Sequence, residues 1–259
     1  MDATKTLAIQ FLGTGTSAGV PMIGCHCQVC SSSDRRDHRS RTSITVSYKG
    51  KTILIDAAPE LRLQAVANCV DRVDAVVFTH AHADHIFGLD DVRRFNTILQ
   101  APLPVYGSAD TLASLQRIFA YAFAARADPQ LYRPELVPHE ITGPFNLFSR
   151  QWQPLPLVHG KAHVLGFRIG DFAYCTDCAE IPPASMDILR GVRVLVIDAL
   201  RPRPHPTHFS FDQALERIAE LAPQQAYFTH LAHDVLHEQA EALLPPHVRI
   251  AYDGLAISI

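Results

Sequence analysis

The chain is short of several things, and each shortage closes off a class of protein. No apolar run approaches the ~18 residues that a membrane-spanning helix needs. Basic residues are not in excess: 23 Lys and Arg stand against 26 Asp and Glu, a net charge of −3. No global positive field therefore draws the chain to nucleic acid or to anionic lipid. No stretch is long and polar enough to be an interdomain linker, and no repeat has the period of a solenoid. Charged residues make up only 19% and apolar residues 47%, which excludes disorder, collagen and an isolated coiled coil. The segment Met1-Asp2-Ala3-Thr4-Lys5-Thr6 leads straight into alternating sequence, with no signal-peptide core. The expectation is one cytoplasmic domain over residues 1–259, without a membrane partner.

What is abundant is histidine, with 14 copies, and most of the chemistry lies in how they are grouped. Cysteine is also grouped: Cys25, Cys27 and Cys30 sit together, while Cys69, Cys175 and Cys178 lie elsewhere. In a reducing compartment clustered cysteines read as metal ligands or redox groups rather than as a disulfide framework.

Strands are predicted over residues 6–12, 42–48, 51–55, 75–79, 164–169, 172–175, 192–197, 225–229, 248–252 and 256–259. Helices are predicted over 61–68, 91–98, 109–125 and 212–221. Residues 75–79 form a continuous apolar run, short enough for a strand buried on both faces. Residues 100–150 read as mixed apolar and helical, a candidate lid. Strands and helices in both halves give an α/β protein with helices covering sheet faces.

The sharpest feature is His80-Ala81-His82-Ala83-Asp84-His85, directly after the strand at 75–79. On extended backbone His80 and His82 point to the same side, and a turn at Asp84-His85 brings two more donors over the same point. Imidazole and carboxylate suit zinc, manganese or iron. Four such groups exceed what one ion takes from one loop, so two ions are expected. Further ligands should follow other strand ends, where sites form in α/β proteins. His159 ends Pro154-Leu155-Pro156-Leu157-Val158, Asp177 follows the strand at 172–175, and His230 follows that at 225–229. Phe228-Thr229-His230 also echoes Phe78-Thr79-His80.

With the H-x-H-x-D-H motif at 80–85, and His159, Asp177 and His230 in that order, the sequence resembles the metallo-β-lactamase-fold hydrolases. Asp56, in Ile53-Leu54-Ile55-Asp56, matches the aspartate of that family's first motif. The resemblance implies an αββα four-layer sandwich with two divalent metals, zinc or manganese, at one edge of the sheets. By it, His80, His82 and His159 hold one ion. Asp84, His85 and His230 hold the other, Asp177 bridges them, and Asp56 orients the ligand loop. Asp84 is expected to serve the chemistry as well as the metal.

Three thiolates at Cys25, Cys27 and Cys30 call for a fourth ligand around a tetrahedral zinc, and His233 is the natural candidate. The run Thr14-Gly15-Thr16-Ser17-Ala18-Gly19-Val20-Pro21, this trio and Thr229-His230-Leu231-Ala232-His233 are similar to the phosphoribosyl cyclic phosphate phosphodiesterases of the carbon–phosphorus lyase pathway in phosphonate metabolism. In that family the Cys3His zinc is structural. Cys175 and Cys178 enclose Asp177 without a partner pair and read as packing residues.

Two divalent ions about 3.5–4 Å apart lower the pKa of a shared water to near neutrality, and the hydroxide attacks phosphorus in line. His208, in Thr207-His208-Phe209-Ser210, is the expected general acid or phosphate clamp, because related phosphodiesterases place a histidine there. His205 is its rival, while His163 and His26 are undecided. Arg35, Arg36, Arg39, Arg41, Arg201 and Arg203 are candidates for phosphate recognition. The expected activity is hydrolysis of a small phosphorylated, cyclic phosphoribosyl diester. The alternatives are a tRNA 3′-end endonuclease, against which the lack of a Gly/Pro-rich arm and the charge balance speak, and a quinone-cofactor biosynthesis protein or carrier of the same fold. Nucleic acid is not the expected partner. A homodimer is implied by the resemblance, not by any seam in the sequence.

Overall fold

A computed structural model describes residues 6–124 and 132–259. In chain order its elements are β1 (Ala8–Gly13), β2 (Ser43–Tyr48), β3 (Lys51–Ile55), α1 (Leu61–Ala67), β4 (Ala75–Val77), α2 (Ala83–Ile86), α3 (Arg93–Leu99), β5 (Leu103–Gly107), α4 (Ala109–Ile118), α5 (Ala120–Phe123), β6 (Leu136–Glu140), β7 (Phe145–Leu147) and β8 (Arg150–His159). There follow β9 (Ala162–Ile169), β10 (Phe172–Cys175), α6 (Pro183–Leu189), β11 (Val194–Asp198), α7 (Phe211–Leu221), β12 (Gln225–Thr229), α8 (His237–Glu241), β13 (Val248–Ile250) and β14 (Ala256–Ser258). The strands form two seven-stranded sheets, ordered β14-β1-β2-β3-β4-β5-β6 and β13-β12-β11-β10-β9-β8-β7.

Three apolar layers separate four structural ones. Ile9, Phe11, Ile44, Ile53, Ala75 and Val77 of the first sheet meet Trp152, Phe167, Phe172, Tyr174 and Val196 of the second. The alternate residues Leu54 and Val76 face outward, onto Leu61, Phe95 and Leu112 from α1, α3 and α4. On the far side Leu195, Ile197 and Phe228 pack on Met186 and Leu189 of α6 and Ala214, Ile218 and Leu221 of α7. Strands covered on both faces explain why 75–77 and 194–197 are continuously apolar rather than alternating. The expected αββα sandwich is what the chain forms.

In each sheet an antiparallel half gives way to a parallel one: β3–β4–β5–β6 in the first and β10–β11–β12–β13 in the second. The loops after β3, β4, β10, β11 and β12 carry Asp56, residues 80–85, Asp177, the segment after Asp198, and His230.

Residues 100–150 depart from the expected lid. Over 103–107 and 136–140 they complete the first sheet, and over 145–147 they edge the second. Pro104 and Pro138 stand inside β5 and β6, and Pro154 and Pro156 inside β8, masking the strand pattern because proline cannot donate to a ladder. The helix predicted over 109–125 breaks at Phe119 (φ −112°, ψ 40°) into α4 and α5. Its final residue, Ala125, lies outside the described residues, as do Met1 to Lys5. The helix predicted over 91–98 begins as a 3-10 turn, Leu89–Val92, before α3.

Arg39, one of the candidate phosphate binders, is instead enclosed at 1% exposure. Its guanidinium donates to the carbonyls of Ala232 (3.4 Å) and Val235 (2.9 Å) and pairs with Asp37 at 3.4 Å. Burial lowers its pKa to about 10, against the pull of Asp37. Asp37 also accepts the His237 amide at 2.7 Å. Arg39 thereby ties the loop after the cysteine trio to the segment that follows His230. Arg39→Ala leaves the buried Asp37 without its paired cation, and a loss of about 3–5 kcal/mol is expected in denaturant unfolding.

Candidate metal centre

Backbone strain marks the places where the site's side chains emerge. Asp56 (φ 61°), Asp177 (φ 53°) and His230 (φ 61°) each adopt the left-handed region just past a strand end. Non-glycine residues persist there only where their surroundings hold them. The loop bearing α2 is laced to the first sheet: the Ala57 amide donates to the His85 carbonyl (2.7 Å) and the Gly88 amide to the Ala57 carbonyl (2.9 Å). A Cβ at Gly88 would stand 2.0 Å from the Ala58 carbonyl oxygen, so only glycine closes this turn.

Second partners set the ring tautomers. Asp56 accepts from the Thr79 amide (2.8 Å), the Thr79 hydroxyl (2.7 Å) and His85 Nδ1 (2.7 Å). With its proton on Asp56, the Thr79 hydroxyl accepts from His80 Nδ1 (2.9 Å). His159 Nδ1 donates to the Thr207 carbonyl (2.8 Å). Each of these rings thus keeps its Nε2 lone pair for the cleft. The Nε2 atoms of His80, His85 and His230 are buried with no hydrogen-bond partner.

The donors converge in two sets. Atoms of His80, His82 and His159 lie within 4.8 Å of one another, as do those of Asp84, His85, Asp177 and His230. Asp177 Oδ2 lies 3.3 Å from His85 Nε2, 3.2 Å from His230 Nε2 and 4.0 Å from His80 Nε2, between the sets. Donors about 2.0–2.2 Å from a shared ion stand ~3–3.5 Å apart, so orphaned lone pairs and spacing both fit a divalent pair. The charges follow the same logic. Burial opposes ionisation of Asp177 and Asp84, yet the facing imidazoles hold both carboxyls well below their ordinary range. Burial drives His80 well below its ordinary value, while Asp177 and Asp56 outweigh burial at His85 and raise it. A cluster this rich in opposed charge and perturbed acids is a functional-site signature.

His208 stands beside this cluster. Its Nδ1 contacts Asp198 Oδ2 at 2.6 Å, and its ring stacks on His230 at 4.6 Å. A donor atom of His208 lies within 4.8 Å of those of His159 and Asp177. Burial lowers the His208 imidazole and raises the Asp198 carboxyl, as expected for two ionisable groups in one enclosed space. The capping box of α7 fixes the chain two residues later: Ser210 accepts from the Gln213 amide, and Gln213 Oε1 accepts from the Ser210 amide at 2.9 Å. Asp198 was not foreseen. It ends a buried strand of the second half as Asp56 follows one in the first, and that parallel was the available signal. His205 is less enclosed; its Nδ1 lies 3.2 Å from the Thr207 hydroxyl and its ring 5.3 Å from His208.

Away from this edge, His233 Nδ1 lies 3.3, 3.5 and 3.7 Å from Sγ of Cys25, Cys27 and Cys30. Tetrahedral zinc with ligands at about 2.3 Å (S) and 2.0–2.1 Å (N) needs N···S edges of ~3.5 Å. The Cys30 amide donates to Cys27 Sγ, the main reason that thiol is lowered to about 6, whereas burial raises Cys30 to about 11. Cys175 and Cys178 are wholly buried in the core behind the second sheet.

The other arginines are placed as follows. Arg36 pairs with Asp34 (2.7 Å), Arg203 with Asp234 (2.7 Å) and Arg41 with Glu60, while Arg35 is exposed. Arg201 is half-buried, with its Nε enclosed and unpaired. His26 and His163 are exposed. Among the described residues no helix is long and apolar enough to cross a membrane.

The family described as the beta-lactamase superfamily domain matches residues 51–231. A Porphyromonas gingivalis protein named octanoyltransferase is 38% identical over 247 residues, covering 94% of this chain and 50% of its own length. The chain spans about half the length of the curated relatives it matches. A solved diphosphatase of the PhnP family is 41% identical with a TM-score of 0.92, over 98% of this chain and 97% of that one. Zinc-bound PqqB from Methylobacterium extorquens shares the fold at 19% identity and a TM-score of 0.78, over 96% and 99% of the two chains.

Proposed function

Because the chain belongs to the beta-lactamase superfamily, we propose that it is a dinuclear-metal hydrolase that breaks a phosphorus–oxygen bond in a small phosphorylated substrate. A cyclic phosphoribosyl diester is the first choice. The observation that carries the reading is the pair of donor sets around Asp177 with three buried, unpaired Nε2 atoms. His80, His82 and His159 would hold one ion, Asp84, His85 and His230 the other, and Asp177 would bridge. When bound, two such ions supply a water made acidic enough to deprotonate near neutrality and positive charge against the phosphoryl oxygens.

The chain's own residues do the rest. Asp198 holds His208 by Nδ1, which leaves the Nε2 lone pair free to take up a proton released by the attacking water and pass it to the departing oxygen. Asp56 and Thr79 hold His85 and His80 in the tautomers that aim lone pairs inward. Enclosure of these groups excludes bulk water and strengthens every charge interaction among them. His205 is assigned no proton: its Nδ1 meets a hydroxyl rather than a carboxylate.

A second reading, hydrolysis of a diphosphate, is favoured by the 41% identity to a diphosphatase. The name of the Porphyromonas relative is not carried over, since this chain matches half of that protein. A tRNA endonuclease is disfavoured by the net charge of −3. The Cys25-Cys27-Cys30-His233 set would hold a zinc with no open position, structural rather than catalytic, and its free thiols suit the reducing cytoplasm. Cys30→Ser is expected to lower bound zinc by one ion per chain and to reduce the melting temperature, read by elemental analysis and calorimetry.

The test pairs metal analysis with turnover of an aryl phosphodiester, 5-phosphoribosyl 1,2-cyclic phosphate, a 2′,3′-cyclic nucleotide, a diphosphate ester, a precursor tRNA and an acyl thioester. Two ions at the edge site with cyclic diester turnover support the first reading. Turnover of the diphosphate alone selects the second, and turnover of the thioester alone overturns both.

A further inference from the structure

The two halves of the metal edge are built on one plan. In the first, β3 and β4 run parallel, and Asp56, Thr79 and His80 form a chain of hydrogen bonds from carboxylate to hydroxyl to imidazole Nδ1. In the second, β11 and β12 run parallel with Asp198 directly opposite Thr229, which precedes His230 as Thr79 precedes His80. Asp198 Oδ2 is occupied by His208 Nδ1 (2.6 Å) and the Cys178 amide (2.8 Å). The remaining polar atoms, Asp198 Oδ1, Thr229 Oγ1 and His230 Nδ1, are each buried and have no partner. A carboxylate oxygen of Asp198 and a ring nitrogen of His230 lie within 4.8 Å. An acceptor, a group that both donates and accepts, and a donor are thus enclosed at the end of this strand pair, although the strand offset differs by one residue from the first half, where Ile55 pairs with Val77 and Asp56 falls one residue short of Thr79. Buried polar groups left unpaired are destabilising and rare.

We propose that Asp198, Thr229 and His230 are the counterpart of Asp56, Thr79 and His80: Thr229 Oγ1 makes neither bond in this structure, and a rotation of its side chain lets it donate to Asp198 Oδ1 and accept from His230 Nδ1. This rests on the reading of His230 as a metal ligand. The relay places the proton of His230 on Nδ1 and keeps its Nε2 lone pair on the ion. It makes Asp198 a shared positioning residue, one oxygen holding the proton donor His208 and the other, through Thr229, holding a ligand of the second ion. Ion and proton donor are then kept in mutual register by a single carboxylate.

The test follows ion release to a chelator, ions retained after dialysis, and kcat at saturating metal, with circular dichroism to verify folding. Thr229→Val removes the hydroxyl at nearly constant shape, and Thr229→Ser restores it. Valine is expected to weaken retention of the second ion by about 10–100-fold, with serine close to the unmodified protein. Asp198→Asn should lose both ion retention and kcat, and His208→Ala kcat alone. A folded Thr229→Val or Asp198→Asn that retains both ions within twofold of the unmodified protein overturns the relay. Loss of melting temperature without faster ion release in Thr229→Val, with kcat intact, assigns Thr229 a merely structural role and also overturns it. If the unmodified protein binds no pair of ions, the functional reading fails and this inference with it.

Discussion

Asp177→Asn is expected to reduce turnover by at least the ~10⁴-fold that bounds the loss of a single acid–base group. The reason is placement. Its Oδ2 lies within 4.0 Å of imidazole nitrogens from both donor sets, so an amide there weakens both proposed ions together. The loss should appear twice: as fewer ions per chain after dialysis, and as a fall in kcat that added metal restores only in part. Two ions retained at the edge site and turnover within tenfold of normal would remove Asp177 from the bridging position.

His208→Ala is the second large effect, with an expected fall in kcat of about 10²–10⁴-fold and no change in ion content. Its size should depend on the leaving group. An alkoxide requires a proton as it departs, whereas an aryl oxide departs as a stable anion. An aryl phosphodiester should therefore feel the substitution far less than a cyclic sugar diester. His205→Ala, lacking a carboxylate partner, should stay within a few-fold on both. Equal losses on the two substrates would mean that His208 clamps the phosphate instead of giving up a proton.

Legibility differed from one part of the chain to another. The donor-rich segment 80–85 was plain because its donors fall within six residues and follow an apolar run. His159, Asp177 and His230 required the further idea that sites gather at strand ends. The strands containing Pro104, Pro138, Pro154 and Pro156 were obscured, because proline opposes the local signal while the sheet tolerates it at positions that need no donated bond. The arginines were candidates for phosphate recognition, but Arg39 is a buried clamp between two loops. Nothing in its immediate neighbours distinguishes it from the solvated Arg35.

Histidine grouping, the cysteine trio and the alternation of apolar runs are properties of short segments, and they settle donor chemistry and the layered α/β class before any folding is considered. Which atoms meet is a different matter. Asp198 faces Thr229, and His208 reaches Asp198, only through strand register and the turn into α7. A hydrogen bond depends on tenths of an ångström between residues distant in the chain, and such distances arise from packing the two sheets, not from the order of residues within either one.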